Sequence, residues 1–134
     1  GYLATQVLDI VQNQDNQIAI LDVSAACHMP DVIEMPYMPP LYGAEDEETV
    51  GKHPFYLAGP TCLAGDVIGR YYFEEPLQIG DRLLFGDMAI YSTCKNNTFN
   101  GMPLPNIWRR TVEGKLEQLT DFGYDDFMMR LGSQ

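Results

Sequence analysis

Residues 4–23 read "ATQVLDIVQNQDNQIAILDV", two runs rich in aliphatic and β-branched residues separated by the polar Gln14-Asp15-Asn16. Two such runs joined by a short polar break predict a β-hairpin. Further strand patterns follow along the chain. "DVIEMPY" (31–37) reads as a third short strand, ended by Pro36 and the Pro39-Pro40 pair, where a ladder cannot continue. "FYLAG" (55–59) reads as a fourth, and "RYYFEEP" (70–76) and "LQIGDRLLFGDM" (77–88) carry more, turned at Gly80-Asp81. "AIYSTC" (89–94) extends the last of these and puts Tyr91 near the end of an apolar strand. "NIWRRTVEGKLEQL" (106–119) is a hairpin pattern around Glu113-Gly114. Only "TDFGYDDFMMRLG" (120–132) has a convincing helical stripe, started by Asp125 or Asp126 and stopped by Gly132. Many short strands about ten residues apart predict a mainly β fold, a Greek-key-like β-barrel or sandwich. A short turn helix after Cys62 and a C-terminal helix complete it.

The length of 134 residues suits one domain with its own core. A net charge of −11 argues against a nucleic-acid partner, whose phosphates need Lys and Arg. No apolar run approaches the roughly 20 residues of a membrane helix. Cys27, Cys62 and Cys94 are odd in number and contain no C-x-x-C pair, which points away from disulfides and zinc and toward a reducing cytoplasm. With His28 and His53 the only histidines, no metal site is expected. The acidic segment of "PPLYGAEDEETVGKHP" (39–54) reads as a solvated surface loop. The start "GYLATQ" falls almost inside a strand and reads as the cut end of a longer chain.

The candidate chemistry gathers in two places. "GPTCLAGD" (59–66) sets Cys62 on a stiff Gly-Pro corner, with small residues beyond the thiol and Asp66 one turn on. The spacing suits a presented thiol and an ordinary tight turn equally well. "AACHMPDVIEMPY" (25–37) crowds His28, Asp31, Glu34 and Tyr37 together. Strand alternation would put Asp31 and Glu34 on opposite faces, so they need not act as a pair. Lys52, Lys95 and Lys115 sit in polar surroundings and read as surface charges.

Taken in order, "LDVSAACHMPDVIEMPY", "GPTCLAGDVIG", "GDRLLFGDMAIYS" and "NTFNG" resemble the C-terminal half of pyridoxal-phosphate decarboxylases with the alanine-racemase-like fold. The "CHMPDVIEMPY" and "GPTCLAGDVIG" blocks are most similar to those of carboxynorspermidine/carboxyspermidine decarboxylases. The resemblance implies that residues 1–134 are the C-terminal β-barrel domain of a two-domain carboxy-lyase of polyamine biosynthesis. Its N-terminal α/β barrel, with the Schiff-base lysine for pyridoxal 5'-phosphate, is absent from this chain, so the fragment alone is expected to be inactive. It implies a homodimer with the active site at the interface and a carboxylated polyamine as substrate. Cys62 falls on the family's catalytic cysteine, which reaches into the partner's site and helps protonate the carbanion left by carbon dioxide. Tyr91 falls on the tyrosine that contacts the cofactor phosphate, and "TFNG" (98–101) on a loop beside the same site.

Two departures bear on the substrate. Leu63 follows the cysteine where many relatives carry an acid, and Met38 follows Tyr37 where the ornithine and diaminopimelate types carry one. Asp66, Asp31 and Glu34, with His28 nearby, are the candidates left for contacts to the substrate's amines. A diaminopimelate- or ornithine-type decarboxylase, or a non-catalytic β-barrel binding module, are the alternatives.

Overall fold

The computed structural model describes residues 1–132. The opening hairpin forms as the sequence predicts. Strand β1 (Leu3–Asn13) pairs antiparallel with β2 (Asn16–Leu21), in a register that sets Asn13 opposite Asn16. The reversal passes through Gln14 in the left-handed region (φ 53°). Two short helices follow, α1 (Ala25–His28) and α2 (Asp31–Glu34), and then the two-residue strand β3 (Ala44–Glu45). Strands β4 (His53–Ala58), β5 (Val67–Phe73) and β6 (Arg82–Phe85) complete a six-stranded sheet in the order β3-β5-β4-β2-β1-β6. All neighbours are antiparallel except β2 and β4, whose parallel pairing requires the crossover that carries α1, α2 and β3.

The sheet curls until its edges nearly meet. Tyr42 N–H donates to Leu84 O (3.1 Å) and Gly86 N–H to Pro40 O (2.7 Å), bringing the lead into β3 onto β6. The concave face buries Val7, Leu21, Phe55, Leu57, Tyr71 and Phe85, each at most 1% exposed. Edge-on aromatic pairs, Phe55 with Phe73 and Tyr71 with Phe85, fill its centre. The Tyr71 hydroxyl is satisfied there by donating to Pro39 O at 2.7 Å.

The remainder lies outside this sheet: α3 (Tyr91–Cys94), a 3₁₀ turn (Phe99–Gly101), the hairpin β7 (Trp108–Arg110) with β8 (Leu116–Gln118), and α4 (Tyr124–Arg130). The hairpin turns where Glu113-Gly114 predicts, and α4 begins one residue before Asp125, with Asp126 Oδ2 accepting from Gly123 N–H at 2.8 Å.

A mainly β, curled sheet agrees with the expected architecture, and three local readings are corrected. Residues 31–34 are helical, because Pro30 supplies a preset φ just before the first turn and Val32 is the buried face. Residues 91–94 are helical as well, because Ile90 adopts φ 63° and cannot continue a strand. After Cys62 there is one hydrogen-bonded turn, Asp66 N–H to Leu63 O (3.0 Å), and no helix.

Candidate active site

The β4–β5 connection is the "GPTCLAGD" corner. Its ends are tied by Gly59 N–H donating to Asp66 O at 2.8 Å. The Asp66 carboxylate folds back beneath the loop, where a Cβ on Gly59 would lie 2.3 Å from Asp66 Oδ2. Glycine is therefore required by close approach. Asp66 is only 2% exposed. Its Oδ2 accepts from Ser24 Oγ (2.8 Å) and Thr61 Oγ1 (2.6 Å), and Oδ1 accepts from Ala26 N–H (3.1 Å). Such donors are what make a buried carboxylate tolerable. Ser24 Oγ also accepts from Cys27 N–H at 3.2 Å, which caps α1.

A second loop straps the other side of α1. Asn97 donates from its backbone to Cys27 O (3.0 Å) and from Nδ2 to Ala26 O (2.8 Å), while Asn96 Nδ2 donates to His28 O (3.1 Å). The strap ends at Asn100, in the left-handed region at φ 57°, whose Oδ1 accepts the Cys62 backbone N–H at 3.1 Å. The "TFNG" loop and the Cys62 corner, far apart in sequence, are thus in direct contact. Cys62 itself is exposed, as are Leu63 (43%) and Phe99 (45%). An open groove beside the strap is lined by Phe99, Asn100, Phe127 and Arg130.

Of the residues predicted as substrate contacts, two are committed within the domain. Asp66 turns inward and serves as the hub just described, which corrects its reading as the grip for a distal amine. His28 is buried, with Nδ1 accepting from Ser24 N–H (3.1 Å) and Nε2 donating to Pro103 O (2.9 Å). Burial pushes its pKa below the ordinary histidine value, so the ring is neutral and structural. Asp31 and Glu34, one helical turn apart on α2, share a face after all, and both meet Lys95. The Lys95 ammonium lies 3.4 Å from Asp31 Oδ1 and bonds Glu34 Oε2. The Glu34 bond, with Asp31 behind it, raises the Lys95 pKa.

Tyr91 opens α3 directly after the left-handed Ile90 and is 70% exposed. A β-branched residue at positive φ is a costly conformation, and here it throws the next side chain outward. Lys52 bonds Glu74 (2.8 Å) and Glu45 (3.0 Å), which raises its pKa too. Ammonium groups held charged in this way are unsuited to attack a carbonyl carbon. The chain thus presents an exposed thiol at Cys62 and an exposed phenol at Tyr91, while Lys52 and Lys95 are held against carboxylates. Among the described residues, no cluster of three or more His, Cys, Asp or Glu could bind a metal ion, and no helix is long and apolar enough to cross a membrane.

Sequence reasoning missed Ser24 and Asn97, and it named the "TFNG" loop without the contact that Asn100 makes. Ser24 before "AACH" is a legible cap, and Asn100-Gly101 is a legible left-handed turn. What those side chains bind, 42 and 38 residues away, carries no local signal.

Residues 1–89 match the family described as pyridoxal-dependent decarboxylase, C-terminal sheet domain. The chain is 45% identical over 98% of its length to carboxyaminopropylagmatine decarboxylase of Synechocystis, covering 34% of that protein. It is 40% identical over 97% of its length to carboxynorspermidine/carboxyspermidine decarboxylase of Campylobacter jejuni, covering 36% of that protein. The crystal structure of C. jejuni carboxynorspermidine decarboxylase complexed with norspermidine superimposes with a TM-score of 0.91 at 39% identity, over 96% of this chain and 38% of that one. The chain spans about a third of the length of the curated relatives it most fully matches.

Proposed function

This chain belongs to the C-terminal sheet-domain family of pyridoxal-dependent decarboxylases, and from that premise we propose that it completes the active site of a decarboxylase acting on a carboxylated polyamine. Carboxynorspermidine or carboxyspermidine is the substrate of this reading, supported by likeness to two curated relatives of that name and to the norspermidine complex. The observation that carries the mechanism is the exposed thiol of Cys62 on a corner clamped from both sides.

The cofactor, held by the remainder of the protein, supplies the electron sink for decarboxylation. Cys62 returns a proton to the carbon that lost carbon dioxide, a task requiring a donor held within hydrogen-bond reach. A stiff corner provides that without ordering cost at the moment of reaction. Tyr91 would help hold the cofactor by donating a hydrogen bond from its hydroxyl to the phosphate. The thiol serves the site of a second copy of the protein, and the three free cysteines suit a reducing compartment. The interior commitments of Asp66 and His28, and the pairing of Asp31 and Glu34 with Lys95, leave selection of the distal amine to the other two thirds of the protein.

The test is turnover of the full-length protein. Cys62→Ala is expected to lower kcat by about a hundredfold or more, the usual scale of general acid catalysis, with cofactor content intact. Unchanged turnover, or loss of cofactor instead, would return Cys62 to a structural role. One observation favours a second substrate: the 45% identity to the Synechocystis enzyme makes carboxyaminopropylagmatine the competitor. Comparing kcat/KM for that compound, carboxynorspermidine and carboxyspermidine decides between them.

A further inference from the structure

The contacts around Cys62 form a closed circuit. Asn100 holds the corner in front through the Cys62 N–H, and Asp66 holds it behind through Thr61 Oγ1. Both holds end on α1: Asp66 through Ser24 Oγ and Ala26 N–H, and the Asn100 strap through Asn97 on Ala26 O and Cys27 O. The buried Cys27 thiol adds a donor to Phe99 O at 3.5 Å. Asp66 is sealed inside and anchors the loop as a whole. Asn100 is different, because it touches the backbone of the thiol-bearing residue itself and stands on an exposed loop.

We infer that Asn100 is a positioning residue, whose side-chain carbonyl fixes the Cys62 amide and thereby the direction of the Cys62 thiol. Two features of the position suit asparagine. The backbone is left-handed, which asparagine tolerates better than most residues. The side chain must also present an acceptor to an N–H on another loop, which glycine, the other residue at ease there, cannot do. Without the bond, the Cys62 N–H at the apex would turn to water, and the corner would keep its holds at Gly59, Thr61 and Asp66 but none at the thiol-bearing residue. The thiol would then sample directions in which it delivers no proton.

This inference rests on Cys62 being the proton donor, and the experiment separates failure of the two. In the full-length protein, Asn100→Gly keeps the left-handed turn and removes the acceptor, while Asn100→Asp keeps both and adds a charge. For Asn100→Gly, kcat is expected to fall about tenfold, the scale of one well-placed hydrogen bond, with KM within about twofold. Peptide-resolved alkylation by iodoacetamide, with Cys94 of the same chain as internal reference, is expected to change at Cys62 by about threefold or more. Asn100→Asp is expected to restore kcat to within about threefold and, through its carboxylate, to displace the pH profile of Cys62 alkylation upward. An Asn100→Gly protein whose Cys62-to-Cys94 alkylation ratio matches the wild type overturns the inference. Should Cys62→Ala leave turnover unchanged, the proton-donor reading fails by itself, and the alkylation ratio alone then decides whether Asn100 directs the thiol.

Discussion

At the scale of single residues, Gly59 and Gly65 make a matched pair on one loop. Neither lies at positive φ, yet a Cβ on Gly59 would overlap the Asp66 carboxylate, whereas a Cβ on Gly65 meets nothing within 4 Å. Gly59→Ala must push apart a buried carboxylate and its donors, with a cost of about 1–3 kcal/mol. Gly65→Ala is expected to change stability by less than about 0.5 kcal/mol. Urea midpoints of the two variants check this, and equal losses would mean that the loop is not pinned on Asp66. The reading of "GPTCLAGD" turns on that point. The sequence showed a stiff corner but not which way its acid faced, because an aspartate four residues after a cysteine can point inward or outward with the same spacing.

At the scale of elements, α1 is four residues long and cannot stand on its own hydrogen bonds. It is held by its cap, by the Asn97 strap and by His28, whose Nδ1 must stay unprotonated to accept from Ser24 N–H. Because the folded-state pKa of His28 is lowered, the unfolded chain binds the proton more readily. The stability due to the neutral ring is complete above the ordinary value of 6.5 and is lost as pH falls below it toward the folded pKa. Denaturation midpoints at pH 7.5 and 5.5 should therefore fall with acid more steeply in the wild type than in His28→Gln, and parallel slopes would contradict it. Helix α2 makes a second test. Its acids, the half-exposed Glu34 and the more buried Asp31, both face Lys95 and are already occupied by that cation. Asp31→Asn and Glu34→Gln in the full-length protein are expected to leave KM for the carboxylated polyamine within about twofold. A tenfold rise would make an acid of this domain the amine contact after all.

At the scale of the whole molecule, the curled sheet and the C-terminal extension are unequal partners. Residues of β2, β4 and β5 supply the buried centre, whereas β7, β8 and α4 contain no buried residue, and Trp108, Leu116 and Leu131 are more than half exposed. In residues 1–134 alone, backbone amides of 108–118 are expected to exchange with deuterium far faster than those of 18–21 and 55–58. Uniform protection would show a packing that the burial pattern lacks. The same chain, mixed with pyridoxal phosphate and reduced with borohydride, is expected to yield no stoichiometric pyridoxyl-lysine at any one position, since Lys52 and Lys95 are paired with carboxylates and Lys115 stands exposed beside the Glu113-Gly114 turn. Stoichiometric trapping on any lysine would overturn that. The sequence by itself determined what depends on neighbours along the chain: the opening hairpin, the Glu113-Gly114 turn, the terminal helix and the stiffness of the Cys62 corner. It misjudged 31–34 and 89–94 because short apolar runs satisfy helix and strand alike. Tertiary structure alone decided that Asp66 faces inward, that Asp31 and Glu34 share Lys95, and that Asn100 meets Cys62. Each of these rests on a contact between segments distant in sequence, made when the sheet curls, and a local pattern holds no record of which distant partner will fill it.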